Sequence, residues 1–372
     1  MSTGINLKYM RRALQLALNG FTHPNPMVGC VIVNNGEVVG EGWHPAAGQP
    51  HAEVYALQAA GDRARGADVY VTLEPCCHRG RTAPCTDALI AAGVRRVIVA
   101  VRDVDIRVKG KGVETLQAAG IEVRTGSLQN KAREMNRAFF HFHETGRPYV
   151  TLKAAMSDDG RIATRSGSSK WVSGNESRDY VHILRARSGA VVAGINTLLN
   201  DDARLDARPA GVVVPRQPLR VVLDSHLRLS PNSACVRLAR EFPDTHPLLI
   251  ATTRYASQTA VSALAGPGVE VAVLASDLNG RVGLHALMAL LAERKIVSVL
   301  CEGGAELAAS LLTERLANEA MYFVAPIVIG GSEAPGPIGG SGVDTISEAW
   351  HTGRIAVSRF GSDLLLQMKI SY

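Results

Sequence analysis

Apolar residues recur at helical spacing from Asn6 to Asn19, and Gly20 then ends the run, as glycine does past a helix C-terminus. Val28 to Val33 has the unbroken apolar character of a buried strand. Asn34-Asn35-Gly36 is a hairpin turn, and Glu37 to Trp43 is its return strand. From there helical and extended patterns alternate. Helices are predicted over His51 to Ala60, Thr86 to Ala92 and Val113 to Ala119, with strands at Asp68 to Leu73, Arg96 to Val101 and Ile121 to Arg124. Leu128 to Phe142 reads as a closing helix. This order predicts an α/β fold with a mixed sheet between helices.

Thr145-Gly146-Arg147-Pro148 breaks the pattern and predicts a linker. We therefore expect one domain over 1–146 and a second over 147–372. The second opens with a strand from Tyr149 to Ala155, and Ser173-Gly174-Asn175-Glu176 reads as a capping box for a helix running to about Arg187. Strands follow at Ala190 to Ala193, Leu219 to Leu223, Leu248 to Ala251, Val269 to Leu274 and Val297 to Leu300. No internal repeat interrupts this second α/β series.

Composition narrows the setting. Over 372 residues the chain is 46% hydrophobic and 20% charged, enough for each half to bury its own core. No apolar run is long enough to span a bilayer, and the first residues lack the form of a secretory signal. Six cysteines in so long a chain read as ligands or nucleophiles in a reducing compartment, so the cytoplasm is expected. The net charge of +6 suits nucleic acid or a phosphorylated small molecule. There is no dense basic block or aromatic series to suggest nucleic acid. Oligomeric state is left open, a homo-oligomer included.

Candidate chemistry is concentrated early. His51, Cys76 and Cys85 supply one imidazole and two thiols, the three protein ligands of a catalytic zinc with one open position. Glu53 is two residues past His51, so on a regular helix the two side chains diverge by roughly 200°. They share a site only at the mouth of that helix, and Pro50 before His51 fits a helix beginning there. Glu53 is then the general acid–base that moves protons between water, ring nitrogen and departing ammonia. Cys77 and His78 could instead complete a four-ligand structural site. Eight residues separate Cys76 from Cys85, against two in the common nucleobase-deaminase signature. That added loop carries His78, Arg79, Arg81 and Thr82, which suits an anionic substrate.

With these residues placed, the chain resembles the bifunctional deaminase–reductase family of riboflavin biosynthesis along nearly its full length. The resemblance rests on Thr22-His23-Pro24-Asn25-Pro26-Met27-Val28-Gly29, Gly42-Trp43-His44, His51-Ala52-Glu53 and the stretch Glu74 to Cys85. Further matches are Leu152 to Gly160, Trp171, Leu184-Arg185-Ala186, Asn200-Asp201-Asp202, Leu223-Asp224-Ser225 and Glu302-Gly303-Gly304. It implies a cytidine-deaminase-like three-layer αβα domain followed by a dihydrofolate-reductase-like α/β domain. It also implies two reactions. The 2-amino group of 2,5-diamino-6-(5-phosphoribosylamino)pyrimidin-4-one is hydrolysed, and NADPH then reduces the ribosyl group of the aminouracil to ribityl.

By the same resemblance Asn25, His44 and Arg81 hold the deaminase substrate, with zinc on His51, Cys76 and Cys85 and Glu53 catalytic. NADPH would meet Ala155, Trp171, Thr197, Asp201, Ser225 and the segment Gly304, Ala305, Glu306, Leu307, Ala308, Ala309, Ser310. The sugar-phosphate substrate would meet Ser169, Arg185, Leu205, Arg208 and Glu302. A strand running into Gly303-Gly304 and then a helix also suits pyrophosphate on helix N–H groups. The chain departs from the family at Asp103-Val104-Asp105-Ile106, where Asp-Pro-Asn-Pro is usual, so Asp105 lacks an amide donor. It departs also at Cys77, a usual Ser, which offers a spare thiolate beside the zinc. The competing readings are an RNA- or nucleoside-directed deaminase with an unrelated second domain, and a non-enzymatic zinc protein.

Overall fold

The computed structural model describes residues 6–79 and 83–372. They divide into two compact units, Met1–Gly146 and Arg147–Tyr372.

In the first unit α1 (Leu7–Ala17) is capped by Asn6, whose side chain accepts from the Lys8 N–H. The hairpin β1 (Gly29–Asn34) and β2 (Glu37–Trp43) follows, then α2 (Ala52–Ala60), β3 (Asp68–Val71), α3 (Cys85–Ala91), β4 (Arg96–Val99), α4 (Lys111–Ala118) and β5 (Glu122–Thr125). The sheet order is β2-β1-β3-β4-β5; β1 is antiparallel to both neighbours, and β3, β4 and β5 are parallel.

Strand alternation sorts the core into two layers. Cys30, Ile32, Val69, Val71, Val97 and Val99 pack with α2, α3 and α4, whereas Val31, Val33, Tyr70 and Ile98 pack with α1 and the closing helices. The result is a three-layer αβα unit. α2 lies so close on β2 that a Cβ on Gly42 would stand 2.4 Å from the Ala52 carbonyl. Glycine there sets the depth of the helix start that carries His51 and Glu53.

The predicted closing helix is two helices, α5 (Gln129–Met135) and α6 (Arg137–Thr145). Asn136 breaks the run because its buried amide grips the Met27 backbone, Oδ1 accepting from the N–H and Nδ2 donating to the carbonyl, both at 2.8 Å. α6 ends at Gly146 in the left-handed region, φ 70°, so only Arg147 and Pro148 lie between it and the next strand.

The second unit runs β6 (Tyr149–Ser157), α7 (Asn175–Arg187), β7 (Ala190–Gly194), α8 (Ile195–Asp201), β8 (Leu219–Leu223), α9 (Ala234–Glu241) and β9 (Leu248–Thr252). It continues through α10 (Gln258–Leu264), β10 (Val269–Val273), α11 (Leu284–Glu293), β11 (Ser298–Cys301), α12 (Ala305–Thr313) and β12 (Glu319–Ala325). The last strands are β13 (His351–Thr352), β14 (Ala356–Phe360) and β15 (Asp363–Ser371). Sheet order is β10-β9-β8-β7-β11-β6-β12-β15-β13, with β14 also on β15. One face packs under α11 and α12, the other under α8, α9 and α10.

The expected capping box is not made. The Ser173 and Glu176 side chains form no cap on α7; Asp363 accepts instead from the Gly174 N–H at 2.7 Å and the Ser177 hydroxyl at 2.6 Å. A buried carboxylate from β15 has displaced the local cap. Among the described residues no helix is long and apolar enough to cross a membrane.

Candidate active sites

His51 is the N-cap of α2, Cys85 opens α3, and Cys76 sits in the loop leaving β3. His51 Nδ1 is 3.2 Å from Cys85 Sγ and 3.5 Å from Cys76 Sγ, and the Cys85 N–H points at Cys76 Sγ at 3.4 Å. One ligand atom from each of the three lies within 4.8 Å of the others. The Cys85 thiol donating to Cys76, together with His51, pulls Cys76 down to about 4. The same contact pushes Cys85 up, so without a cation the pair shares its charge unevenly.

Glu53 is buried beside them, and burial raises its carboxyl above the usual range. Its Oε2 has no hydrogen-bond partner among the described residues. A soft donor set of one nitrogen and two sulfurs with an unpartnered carboxylate oxygen next to it fits Zn²⁺ with an open position.

Two expected substrate contacts stand next to this cluster. His44 Nδ1 donates to the Pro50 carbonyl at 3.0 Å, which leaves Nε2 to accept from Asn25 Nδ2 at 3.1 Å. Burial holds His44 below its ordinary value, so it stays neutral and fixes the Asn25 amide. The His44 and His51 rings meet edge to face at 5.3 Å. Arg81 and Thr82, expected on the anion-binding loop, lie outside the described residues. Cys77 does not join the cluster. Its Sγ is 3.9 Å from the Arg107 carbonyl, and burial raises its pKa above the ordinary value.

Sequence reasoning missed Glu74. This buried carboxylate accepts from the N–H groups of Asp103, Gly110 and Val113, each at 3.1 Å, and so fixes the loop after β4. That loop presents Asp103, which burial raises to about 6. Asp105 is held by Arg107, which lowers it to about 2. Its carboxylate therefore already has a cationic partner.

In the second unit a cavity of about 480 Å³ is lined by Ala155, Ser169, Trp171, Arg185, Thr197, Asp201, Leu205, Arg208 and Glu302, nine of the residues expected there. Arg185 and Glu302 form a two-bond pair, Nε to Oε1 at 2.5 Å and Nη2 to Oε2 at 3.0 Å, and Lys153 Nζ stands 3.6 Å from Oε2. Burial alone would raise Glu302, but the two cations prevail and hold it at about 2. Ser169 donates to Asp201 at 3.3 Å.

Ser225 and the Gly304 to Ser310 segment do not line this cavity. Ser225 follows β8, and its hydroxyl accepts from the Val282 N–H at 3.1 Å. Gly304 is the N-cap of α12, where Ala308 and Ala309 are buried in the core. That helix can offer an anion only the N–H groups of its first turn. Lys153, His182 and Asp206 were not anticipated. The signal for Lys153 was present: a lysine inside an apolar strand.

Residues 4–101 match the cytidine and deoxycytidylate deaminase zinc-binding region, and residues 148–366 match the RibD C-terminal domain. The chain is 42% identical to the riboflavin biosynthesis protein RibD of Aquifex aeolicus, over 98% of each chain. Against RibD of Escherichia coli K12 it is 39% identical, over 97% of this chain and 98% of that one. A solved structure of Acinetobacter baumannii RibD superposes with a TM-score of 0.85 at 38% identity, covering 98% of this chain and 99% of the other. The Thermotoga maritima diaminohydroxyphosphoribosylaminopyrimidine deaminase/5-amino-6-(5-phosphoribosylamino)uracil reductase gives 0.82 at 33% identity, with 98% of both covered. Both halves of this chain are thus accounted for by a single lineage, and the chain belongs to the RibD family of bifunctional, zinc- and NADPH-dependent deaminase–reductases.

Proposed function

We propose that the first unit deaminates the diaminopyrimidinone ribosyl phosphate and the second reduces the resulting aminouracil, each with its own residues. The observation that carries the reading is the meeting of His51, Cys76 and Cys85 beside the buried Glu53. Those three residues hold zinc, which when bound supplies the Lewis acidity that makes water a nucleophile at neutral pH.

Glu53 takes up the proton that water loses on attack. It delivers protons to the ring nitrogen and the leaving amine, for which a carboxyl raised by burial is suited. Asn25, locked by neutral His44, orients the pyrimidine. Asp103 on the loop fixed by Glu74 offers a second polar edge to it. Arg81, outside the described residues, is assigned to the same substrate by the family resemblance alone.

In the second unit the 480 Å³ cavity combines the fixed carboxylate of Glu302 with several cations, which suits a polyhydroxylated phosphate ester. NADPH, when bound, supplies the reducing equivalent. Ala155, Trp171, Thr197 and Asp201 face it from the cavity, Ser225 and the first turn of α12 from outside. Glu302 accepts from substrate hydroxyls with lone pairs that Arg185 and Lys153 leave free. Six free cysteines, two of them needed as thiolates, support a reducing compartment such as the cytoplasm for the enzyme.

The test is an assay on the purified protein with the diaminopyrimidinone phosphate, following ammonia and NADPH separately. Ammonia is released without NADPH, and NADPH is consumed only once deamination has occurred. NADPH oxidation with no ammonia released would sink this order. Release of ammonia from cytidine or tRNA instead would sink the substrate.

A further inference from the structure

Arg185 and Arg208 are the arginines expected on the sugar-phosphate substrate of the second unit, yet the Arg185 guanidinium is largely committed. Two of its N–H groups are on Glu302 and a third donates to the Asp206 carbonyl at 3.0 Å. Arg208 and one arginine not expected there, Arg204, keep donors that can reach a ligand in the cavity. Arg204 and Arg208 are 44% and 45% exposed, whereas Asp206 between them is 1% exposed. Asp206 Oδ2 accepts from Arg204 Nη2 at 2.9 Å, and its Oδ1 accepts from Arg208 Nη1. Each arginine therefore uses one terminal nitrogen on the carboxylate and keeps further N–H donors for a ligand.

The backbone beneath them is fixed from every side. Arg220, fully buried on β8, donates to the Arg204 carbonyl at 3.2 Å. Gln217 bonds both the N–H and the carbonyl of Ala207, at 2.8 and 2.9 Å. The Arg208 N–H donates to His182 Nδ1 at 3.2 Å. Between them Leu205 sits buried in the left-handed region, φ 58°, a conformation that persists only where the surroundings over-determine it.

We propose that Arg204 and Arg208 form a two-pronged receptor for a phosphate monoester, with Arg204 a further binding residue for the substrate's 5′-phosphate and Asp206 the positioning residue that sets both prongs. This rests on reading the cavity as the reductase site. Two guanidinium groups on one carboxylate leave a net positive charge directed outward, and a dianion at the tip completes it. Holding the prongs before the ligand arrives lowers the ordering cost of binding.

NADPH also carries a phosphate monoester, so the experiment separates the two sources. In the full-length protein, wild type is compared with Arg204→Ala, Arg204→Lys and Asp206→Asn. The readings are kcat and KM for the aminouracil ribosyl phosphate, competitive inhibition by ribose 5-phosphate, and the NADPH Kd from fluorescence quenching. Arg204→Ala raises KM and the ribose 5-phosphate inhibition constant roughly tenfold, the size of one charge-assisted contact. Its kcat and NADPH Kd stay at wild-type values. Arg204→Lys recovers part of the loss, and Asp206→Asn raises both constants severalfold.

Unchanged inhibition in Arg204→Ala overturns the proposal. A weakened NADPH Kd with unchanged KM overturns the choice of substrate over cofactor. Tighter ribose 5-phosphate binding in Asp206→Asn overturns the positioning role, because the carboxylate would then only screen the arginines. A wild-type enzyme insensitive to ribose 5-phosphate counts instead against reading the cavity as the substrate site.

Discussion

In the first unit three soft donors and a carboxylate oxygen are brought together with few partners of their own. In the second, Lys153, Arg185 and Glu302 satisfy one another, and the spare charge is pushed out to half-exposed arginines. The first site is built for a cation that the chain must acquire. The second pairs its buried carboxylate with buried cations of its own, as a dry environment requires. The difference predicts opposite responses to mutation. Damage to the first removes chemistry and leaves the fold, whereas damage to the second strands a buried charge and costs stability.

The sharpest way to break the contrast is through the ligands. Cys76→Ser and Cys85→Ser each abolish zinc content and ammonia release, while Cys77→Ser keeps the metal. Metal analysis of the purified variants checks this, and loss of zinc in Cys77→Ser would reassign the ligand set. Next in size is Glu53→Gln. It keeps the side-chain shape and lowers ammonia release by about two to four orders of magnitude. Reduction of the pre-deaminated substrate continues near the normal rate. If that reduction also failed in folded protein, two separate sites would have to give way to one.

Breaking the internal pair is a matter of stability. Arg185→Ala or Glu302→Ala leaves the other charge buried and lowers the stability of the second unit by about 3–5 kcal/mol. Denaturant unfolding measures it, and an unchanged midpoint would contradict the contrast.

The smallest effect is in pH, where the two units have opposite slopes. Glu302 is held at about 2, below its ordinary 4.5, so its contribution is present above 4.5 and lost as pH falls toward 2. Asp103 is raised from 3.8 to about 6, so its contribution is present below 3.8 and lost as pH rises through 6. Calorimetry across these windows should show Glu302→Gln flattening the first dependence and Asp103→Asn the second. Parallel slopes for wild type and variant would remove the assignment.

What was legible in the chain followed from short-range pattern. The hairpin at Asn34-Asn35-Gly36 and the helix beginning just after His51 depend on a few neighbouring residues. So does the strand–loop–helix order around Cys76 and Cys85. What was not legible depends on residues far apart. Asn136 splits a helix because of Met27, 109 residues away, and Asp363 replaces the cap of α7 from 189 residues away. Arg185 could be read as a cation, but not as one whose partner Glu302 stands 117 residues on. β12 and β15 also escaped notice, since a buried Glu319 at the start of β12 disguises an interior strand.

The place of β6 in its sheet bears on how the protein is made. β6 is the first strand of its unit to be synthesised, yet it lies at the interior of the sheet, flanked by β11 and β12. Its register pairs Tyr149 with Ser298 on one side and Thr151 with Glu319 on the other. One edge of β6 therefore has no native partner until the ribosome has passed Cys301, and the other none until it has passed Ala325. A strand left open this long is exposed to wrong pairing, and its late, long-range closure makes folding slow. The first unit carries no such debt, because β1 pairs with β2 across a two-residue turn within moments of emerging. Chaperone demand during synthesis should therefore fall on the second half of translation, and a nascent chain truncated before β12 is where aggregation would begin.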